Sequence, residues 1–327
     1  TSPTAEILRN TPMSRLTSNR LAWALGGAVL LLAPWFVYPL FAIKLMCAAL
    51  LAASVNLLVG YAGLLSFGHA MFYGSAGYIT GWVLKQGSVD GTVGLLAGVA
   101  TAALFGLVTG VLAIRRHGVY FSMITLAFAQ VIYFLALRLP FTGGEDGLQN
   151  VPRPDFLGVI PTVDTVHLYY VSAVVVGLGF WVIWRIVHSP FGQVLRAIRD
   201  NEPRALSLGY AVNRFKLMAF VLSAALAGLA GATKVVAFQL ATLTDVGWGT
   251  SGEALLICIV GGMRTLRGPV VGALIIITME HHLAAVPEMV QIVQGLVFVL
   301  VVMLFRKGIV GQWEAWRAAR RPAESTS

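Results

Sequence analysis

Residues able to do chemistry are sparse in this chain and stand far apart. The run Glu280-His281-His282 offers metal-ligating types. Adjacent histidines diverge on a helix, however, and no further ligand is close in sequence, so no metal set is assembled. Cys47 and Cys258 fall inside apolar runs, which argues against a disulfide framework. There is no HExxH, no GxSxG and no pair of intramembrane aspartates, so a membrane-embedded hydrolase would lack its residues. A GxxxxGK[ST] phosphate loop is also missing, and with it any Gly-Lys dipeptide. Energy from ATP would therefore have to come from a partner. Glu253 and Glu280 read as lying near the ends of apolar runs, so no carboxylate relay at membrane depth is expected. No catalytic residue, metal or cofactor is assigned.

The remaining polar residues inside apolar runs are candidates for the lining of a path. They are Asn56, Ser66, His69, Gly74, Thr125 and Gln130. For His69 a substrate or gating role competes with a plain hydrogen bond to a neighbouring helix, and Asn56 and Gln130 carry the same two readings. Lys234 is expected near the outer interface, where its aliphatic stem lets the ammonium reach water.

A basic segment, Ser189 to Lys216, separates two long apolar runs and reads SPFGQVLRAIRDNEPRALSLGYAVNRFK. It sets Arg196, Arg199, Arg204, Arg214 and Lys216 against Asp200 and Glu202. Phe191, Val194, Leu195, Ile198, Ala205, Leu206 and Leu208 recur at three- and four-residue spacing, and Gly209 supplies a helix end. An amphipathic helix of this kind docks another protein or lies on anionic lipid.

The elements that must position these residues are membrane spans. With 57% hydrophobic and 11% charged residues, the composition is that of an integral membrane protein. Apolar runs at 21–41, 44–60, 62–84, 92–114, 118–139, 167–187, 216–241, 252–263, 268–285 and 289–305 predict an all-α polytopic transmembrane helix bundle of about 8–10 spans. The first run reads as a retained anchor, and 252–263 as a broken or half-spanning helix. The pairs Gly77–Gly81, Gly94–Gly98, Gly106–Gly110 and Gly268–Gly272 have the spacing of close helix contacts.

With the N-terminus inside, every basic residue except Lys44, Lys85, Arg138, Arg153 and Lys234 falls on the inner side. Asp90, Glu145, Asp146, Asp155 and Asp164 fall outside. The positive-inside rule then places both termini in the cytoplasm. The organisation is a cytoplasmic segment 1–20, a transmembrane domain 21–306 and a cytoplasmic tail 307–327. Within the domain, 189–216 is a cytoplasmic loop and 140–166 a periplasmic one. The net charge of +9 follows from topology and anionic lipid, without nucleic acid.

Five blocks resemble a known family. NLLVGYAGLLSFGHAMFYGSAGY (56–78), GVYFSMITLAFAQ (118–130) and TGGEDGL (142–148) are similar to the LivM-type permease of branched-chain amino acid ABC transporters. So are FGQVLRAIRDNEPRALSLGY (191–210) with KLMAFVLSAALAGLAGA (216–232), and LLICIVGGMRTLRGPVVGA (255–273). The resemblance covers about residues 40–305. It implies a multi-pass subunit of the bacterial inner membrane, paired with a homologous LivH-type permease, driven by two cytoplasmic ABC ATPases and fed by a periplasmic substrate-binding protein. EPRALSLG (202–209) is similar to the EAA–G coupling motif of ABC importers. It departs from that motif by one extra residue before the glycine and by Pro203 after the glutamate.

On that resemblance Arg196, Arg199, Asp200, Glu202, Ala205, Leu206 and Gly209 form the ATPase-coupling element. The TGGEDGL turn, with Gly143, Gly144, Glu145 and Asp146, is a candidate docking site for the binding protein. A plain surface turn is the competing account of it. Leucine, isoleucine and valine are the substrates expected first. Urea, short amides or aromatic carboxylates are the alternatives within the family, and an ATP-independent channel is the alternative outside it.

Overall fold

The computed structural model describes residues 34–87, 89–116, 118–156, 164–305 and 308–319. Helix α1 (Pro39–Asn56) runs on into a π-helical turn (Leu57–Ala62), followed by α2 (His69–Lys85), α3 (Gly91–Ala113), α4 (Val119–Arg138) and α5 (Thr165–Val187). Two short helices, α6 (Pro190–Asp200) and α7 (Glu202–Ser207), precede the long α8 (Val212–Phe238). The chain ends in α9 (Leu243–Val246), α10 (Trp248–Gly261), α11 (Gly268–Leu283), α12 (Pro287–Leu304) and α13 (Gly308–Ala319). Leu148 and Ala241 form an isolated antiparallel bridge.

The packing follows from the small residues. On α3 the positions Gly94, Gly98, Ala102, Gly106 and Gly110 recur every four residues and are buried. Leu96, Leu104, Leu107, Val108 and Leu112 on the same helix are exposed. This is the arrangement of a lipid-bathed bundle, in which backbones approach through small residues and large apolar side chains face the bilayer. Helices α2, α3 and α8 make the most intimate contacts. At Gly231 of α8 a Cβ would run into the Tyr73 carbonyl of α2, so only glycine allows this approach. Phe72 of α2 and Phe121 of α4 both meet Phe220 of α8 edge to face, at 5.5 and 5.7 Å between ring centres.

Six segments among the described residues are long and apolar enough to cross a membrane. They are Pro39–Ala62, Gly91–Ala113, Val119–Arg138, Thr165–Val187, Val212–Phe238 and one beginning at Met289 within α12. Helices α10 and α11 are apolar but shorter. The expected total of eight to ten spans therefore resolves into six of full length and several partial ones. The expected span 21–41 lies largely outside the described residues. The break expected at 41–44 is absent, because α1 is continuous from Pro39. Residues 63–68, expected as part of the span 62–84, are not helical.

That break has a geometric result. The α1 helix ends at Gly63, in the left-handed conformation with φ +71°, and the chain doubles back through 63–68. His69 at the start of α2 meets Ser223 of α8. Ser223 lies eleven residues, or about 16 Å, along α8 at 1.5 Å per residue, so α2 starts at mid-bundle. Near the far end of α8 the chain also turns back: Asp245 of α9 pairs with Lys234, and Ser251 in the first turn of α10 accepts a 2.7 Å hydrogen bond from the Ala70 amide. Helix α10 is thus a half-length helix starting at mid-bundle. Non-helical backbone at this depth is tolerated because protein surrounds it.

Candidate functional site

The two ends of the bundle differ. One end gathers α6 and α7, the π-helical turn of α1, the start of α4 and the loop after α10. There the guanidinium of Arg199 donates to the Gly60 carbonyl, and a cleft of about 370 Å³ is bordered by Gly63, Gly118, Asp200, Glu202 and Lys216. The other end holds the segment 140–156, joined to the end of α8 by reciprocal 2.9 Å backbone bonds between Leu148 and Ala241. With 27 residues, α8 spans about 40 Å between them.

At the first end, α6 and α7 are built by local signals. Ser189 caps α6 by accepting from the Gly192 amide, and Pro190 occupies the first turn. Asn201 caps α7, its Oδ1 accepting from the Arg204 amide at 3.0 Å. Helix α7 closes with Gly209 N–H to Leu206 C=O at 2.9 Å and Tyr210 N–H to Ala205 C=O at 3.2 Å. These paired bonds are the Schellman arrangement, and they need the left-handed Gly209 at φ +83°.

Some of the charged side chains reach back to the bundle. Arg199 also donates to Asp200 Oδ1, at 3.1 Å from Nε and 2.6 Å from a terminal nitrogen. This bond holds the Asp200 carboxyl below its usual range. Arg196 donates to the Val187 carbonyl at 3.0 Å and lies over the Tyr61 ring. The Lys216 ammonium, almost completely buried, meets Glu202 Oε1 at 2.7 Å. Leu195, Ile198 and Ala205 are buried beneath them. The outward surface of the pair is Leu206 and Leu208, 56% and 70% exposed, with Arg204 also exposed and Tyr210 beside them. Of the seven residues expected to couple, Arg196, Arg199, Glu202 and Ala205 thus fasten the helices to the bundle. Leu206 faces out, Asp200 is mostly exposed and Gly209 shapes the end. Leu208, one of the apolar knobs of the sequence pattern, belongs to the outward face.

The candidate path residues divide in a similar way. His69 is fully buried; its Nε2 meets Ser223 Oγ at 2.9 Å, and Ser223 donates in turn to the Ser54 carbonyl at 2.6 Å. Asn56 clamps the loop after α10, donating to the Thr265 carbonyl at 2.9 Å and accepting from the Arg264 amide at 3.0 Å. Thr125 Oγ accepts from the Phe67 amide, and Ser66 Oγ from the Gly68 amide at 3.2 Å, so both organise the re-entrant segment 63–68. Gly74 leaves room for Val246 of α9. Gln130 is half-buried on α4.

At the other end, Gly143, Gly144 and Gly147 all take positive φ, and Thr142 Oγ donates to the Ala136 and Leu139 carbonyls. Val151 N–H meets the Gln239 carbonyl at 3.0 Å, and Gln239 Nε2 donates to the Val151 carbonyl at 3.1 Å. Glu145 and Asp146 are exposed on this pinned loop.

Sequence reasoning missed one cluster altogether. Lys234, in the last turns of α8, pairs with Asp245. Lys44 of α1 meets Glu280 of α11 at 3.1 Å. Glu253 joins them around a cavity of about 230 Å³. The short run 252–263 is expected as a broken or half-spanning helix, and α10 is one; what the sequence did not show is which residues Glu253 meets.

A bundle of apolar helices with two half-length helices meeting at mid-depth, and differently charged polar structures at its two ends, is a polytopic membrane protein. Residues 39–302 match the family described as branched-chain amino acid transport system, permease component, and the chain belongs to that family. It is 27% identical over 289 residues to the high-affinity branched-chain amino acid transport system permease protein LivM of Salmonella typhimurium, covering 81% of this chain and 68% of that protein. To LivM of Escherichia coli it is 25% identical over 288 residues, with the same coverage. To the ribose import permease protein RbsC of Bacillus subtilis it is 30% identical over 266 residues, covering 69% of this chain and 79% of that protein. No solved structure matches.

Proposed function

We propose that the chain is one of two permease subunits of an ABC importer in the bacterial inner membrane, carrying branched-chain amino acids. Two cytoplasmic ATPases drive it through α6 and α7, and a periplasmic binding protein delivers substrate at the 140–156 loop. One observation carries this reading: α6 and α7 form a capped, closed unit, anchored by Arg199 and by Lys216–Glu202, that turns Leu206 and Leu208 outward. Arg199 and Lys216 are spent on the Gly60 carbonyl and on Glu202, while Arg196, Arg204 and Arg214 stay exposed, so the apolar tip rather than the charge distinguishes a protein partner from lipid. A rigid knob with an apolar tip suits a cleft on a moving partner.

Orientation follows the charges. Arg115, Arg116, Arg185, Arg264 and Arg267 lie toward the α6–α7 end, while Asp90, Asp155, Glu145 and Asp146 lie toward the other. The positive-inside rule puts the first end in the cytoplasm. Labelling of a single cysteine placed at 146 tests this; reaction only from the cytoplasmic side overturns it.

The functional test is ATP-driven uptake of leucine by vesicles holding the complete transporter. Leu206→Asp with Leu208→Asp should abolish uptake while insertion stays at the wild-type level. Undiminished uptake overturns the coupling assignment. The likeness to RbsC supports a second reading, a sugar substrate, so ribose is assayed alongside leucine.

A further inference from the structure

The charged cavity among α1, α2, α8, α9, α10 and α11 plays no part in the coupling or docking surfaces, and its composition is unusual for a membrane interior. Two cations, Lys44 and Lys234, face three carboxylates, Asp245, Glu253 and Glu280. Lys44 pairs with Glu280 and Lys234 with Asp245. Glu253 is the carboxylate in excess, and it stands beside Glu280 rather than beside a cation of its own. Charged groups at this depth are costly unless paired or used. Two carboxyls side by side need either a shared proton or a bound cation between them.

One part of the wall is aliphatic, while Tyr73, Thr244 and Thr250 make another part polar. Leu51 of α1, Ile257 of α10 and Ile277 of α11 line the same cavity. Its volume of about 230 Å³ suits one small solute. Lys44, on the cavity wall, is 45% exposed at the side-chain level.

We propose that this cavity is a station for a zwitterionic α-amino acid, with its ammonium on Glu253, its carboxylate between Lys44 and Lys234, and its aliphatic side chain against Leu51, Ile257 and Ile277. The proposal rests on the permease reading above and deepens it by naming a binding site within this subunit. An amino acid brings an ammonium that can take the place of the proton between Glu253 and Glu280, together with a carboxylate for the lysines. A neutral sugar brings neither, so the station separates the two substrate readings.

Ligand-observed NMR on the complete transporter in lipid nanodiscs, without the binding protein, suits the weak affinity that a transit site requires. The probes are leucine, isocaproate (the same skeleton without the ammonium) and isoamylamine (without the carboxylate). In the wild type, leucine should bind better than either half-probe. Glu253→Gln should weaken leucine about tenfold to a hundredfold, the range for losing one charge-assisted hydrogen bond, and should leave leucine no better than isocaproate.

Exchanging the ion pair, by Lys44→Glu with Glu280→Lys, keeps the charges paired and the fold supported but reverses their order, and should also lose leucine. Wild-type leucine binding by Glu253→Gln or by the exchanged pair overturns the station. So does the absence of leucine binding from the wild type. If vesicles still take up leucine in that case, the permease reading stands alone. Uptake of ribose without leucine overturns both.

Discussion

The ion pair between Lys216 and Glu202 makes an asymmetric prediction. Lys216 is 5% exposed at the side-chain level and Glu202 28%. Removing the carboxylate strands a buried ammonium, whereas removing the ammonium leaves a carboxylate that water reaches. Breaking a buried pair by deleting one partner costs about 3–5 kcal/mol when the survivor is fully enclosed. Partial access on the Glu202 side reduces this to about 2–3 kcal/mol for Glu202→Gln. For Lys216→Met the survivor is hydrated and the aliphatic stem is replaced by one of similar shape, so the loss is about 1 kcal/mol or less. The pair joins the start of α7 to α8, so the cost falls on local opening of α7. Amide hydrogen exchange of Arg204 to Gly209 in the assembled transporter reads that opening directly. Glu202→Gln should speed exchange about 30- to 150-fold and Lys216→Met about fivefold or less, at 1.4 kcal/mol per factor of ten. Equal effects, or a larger effect from Lys216→Met, would refute the argument that burial decides the cost.

Three further outcomes follow from the geometry. Gly231→Leu drives a side chain into the Tyr73 carbonyl and should destabilise the α2–α8 contact by about 3 kcal/mol or more, seen as a lower melting temperature in detergent; an unchanged melting temperature would contradict the contact. Asp200 has a lowered pKa, so its bond to Arg199 adds stability above the ordinary carboxylate value of 3.8 and loses it as pH falls below that. Asp200 is open to solvent, so Asp200→Asn should leave the neutral-pH melting temperature almost unchanged and flatten only its acid limb, which melting curves in a pH series will report. Replacing Glu145 and Asp146 by Ala should weaken stimulation of ATP hydrolysis by the binding protein if the 140–156 loop is the docking site, and full stimulation would return it to a plain turn.

Much of this was legible because it is written in local chemistry. The four-residue spacing of glycines on α3 gives its packing face without further information, because only small residues admit a second backbone. Ser189, Pro190, Asn201 and Gly209 mark the limits of α6 and α7 in the same way. The direction of long side chains was not legible. Arg199 and Glu202 sit in a segment that reads as a charged surface, yet each turns back to a group distant in sequence or on another helix: Gly60 and Lys216. The cluster of Lys44, Lys234, Asp245, Glu253 and Glu280 was hidden for a related reason. Hydropathy marks where apolar runs begin and end, but not which run ends meet in space. The chain doubles back at 63–68 and again at 239–247, and this brings Asp245 and Glu253 against Lys44, Lys234 and Glu280.

The single helix α8 has a thermodynamic consequence. Its first turns carry Lys216, which holds α7, and the residues just beyond its end, Gln239 and Ala241, form backbone hydrogen bonds with the opposite loop. If ATPase engagement on the proposed reading favours one setting of that rod, the free energy difference appears at both ends with the same magnitude. Nucleotide state must then change the affinity for the binding protein by the same factor by which the binding protein changes the affinity for nucleotide. The equality concerns equilibrium affinities and leaves the turnover rate free, so two titrations on one preparation suffice to measure how stiffly the rod joins its ends.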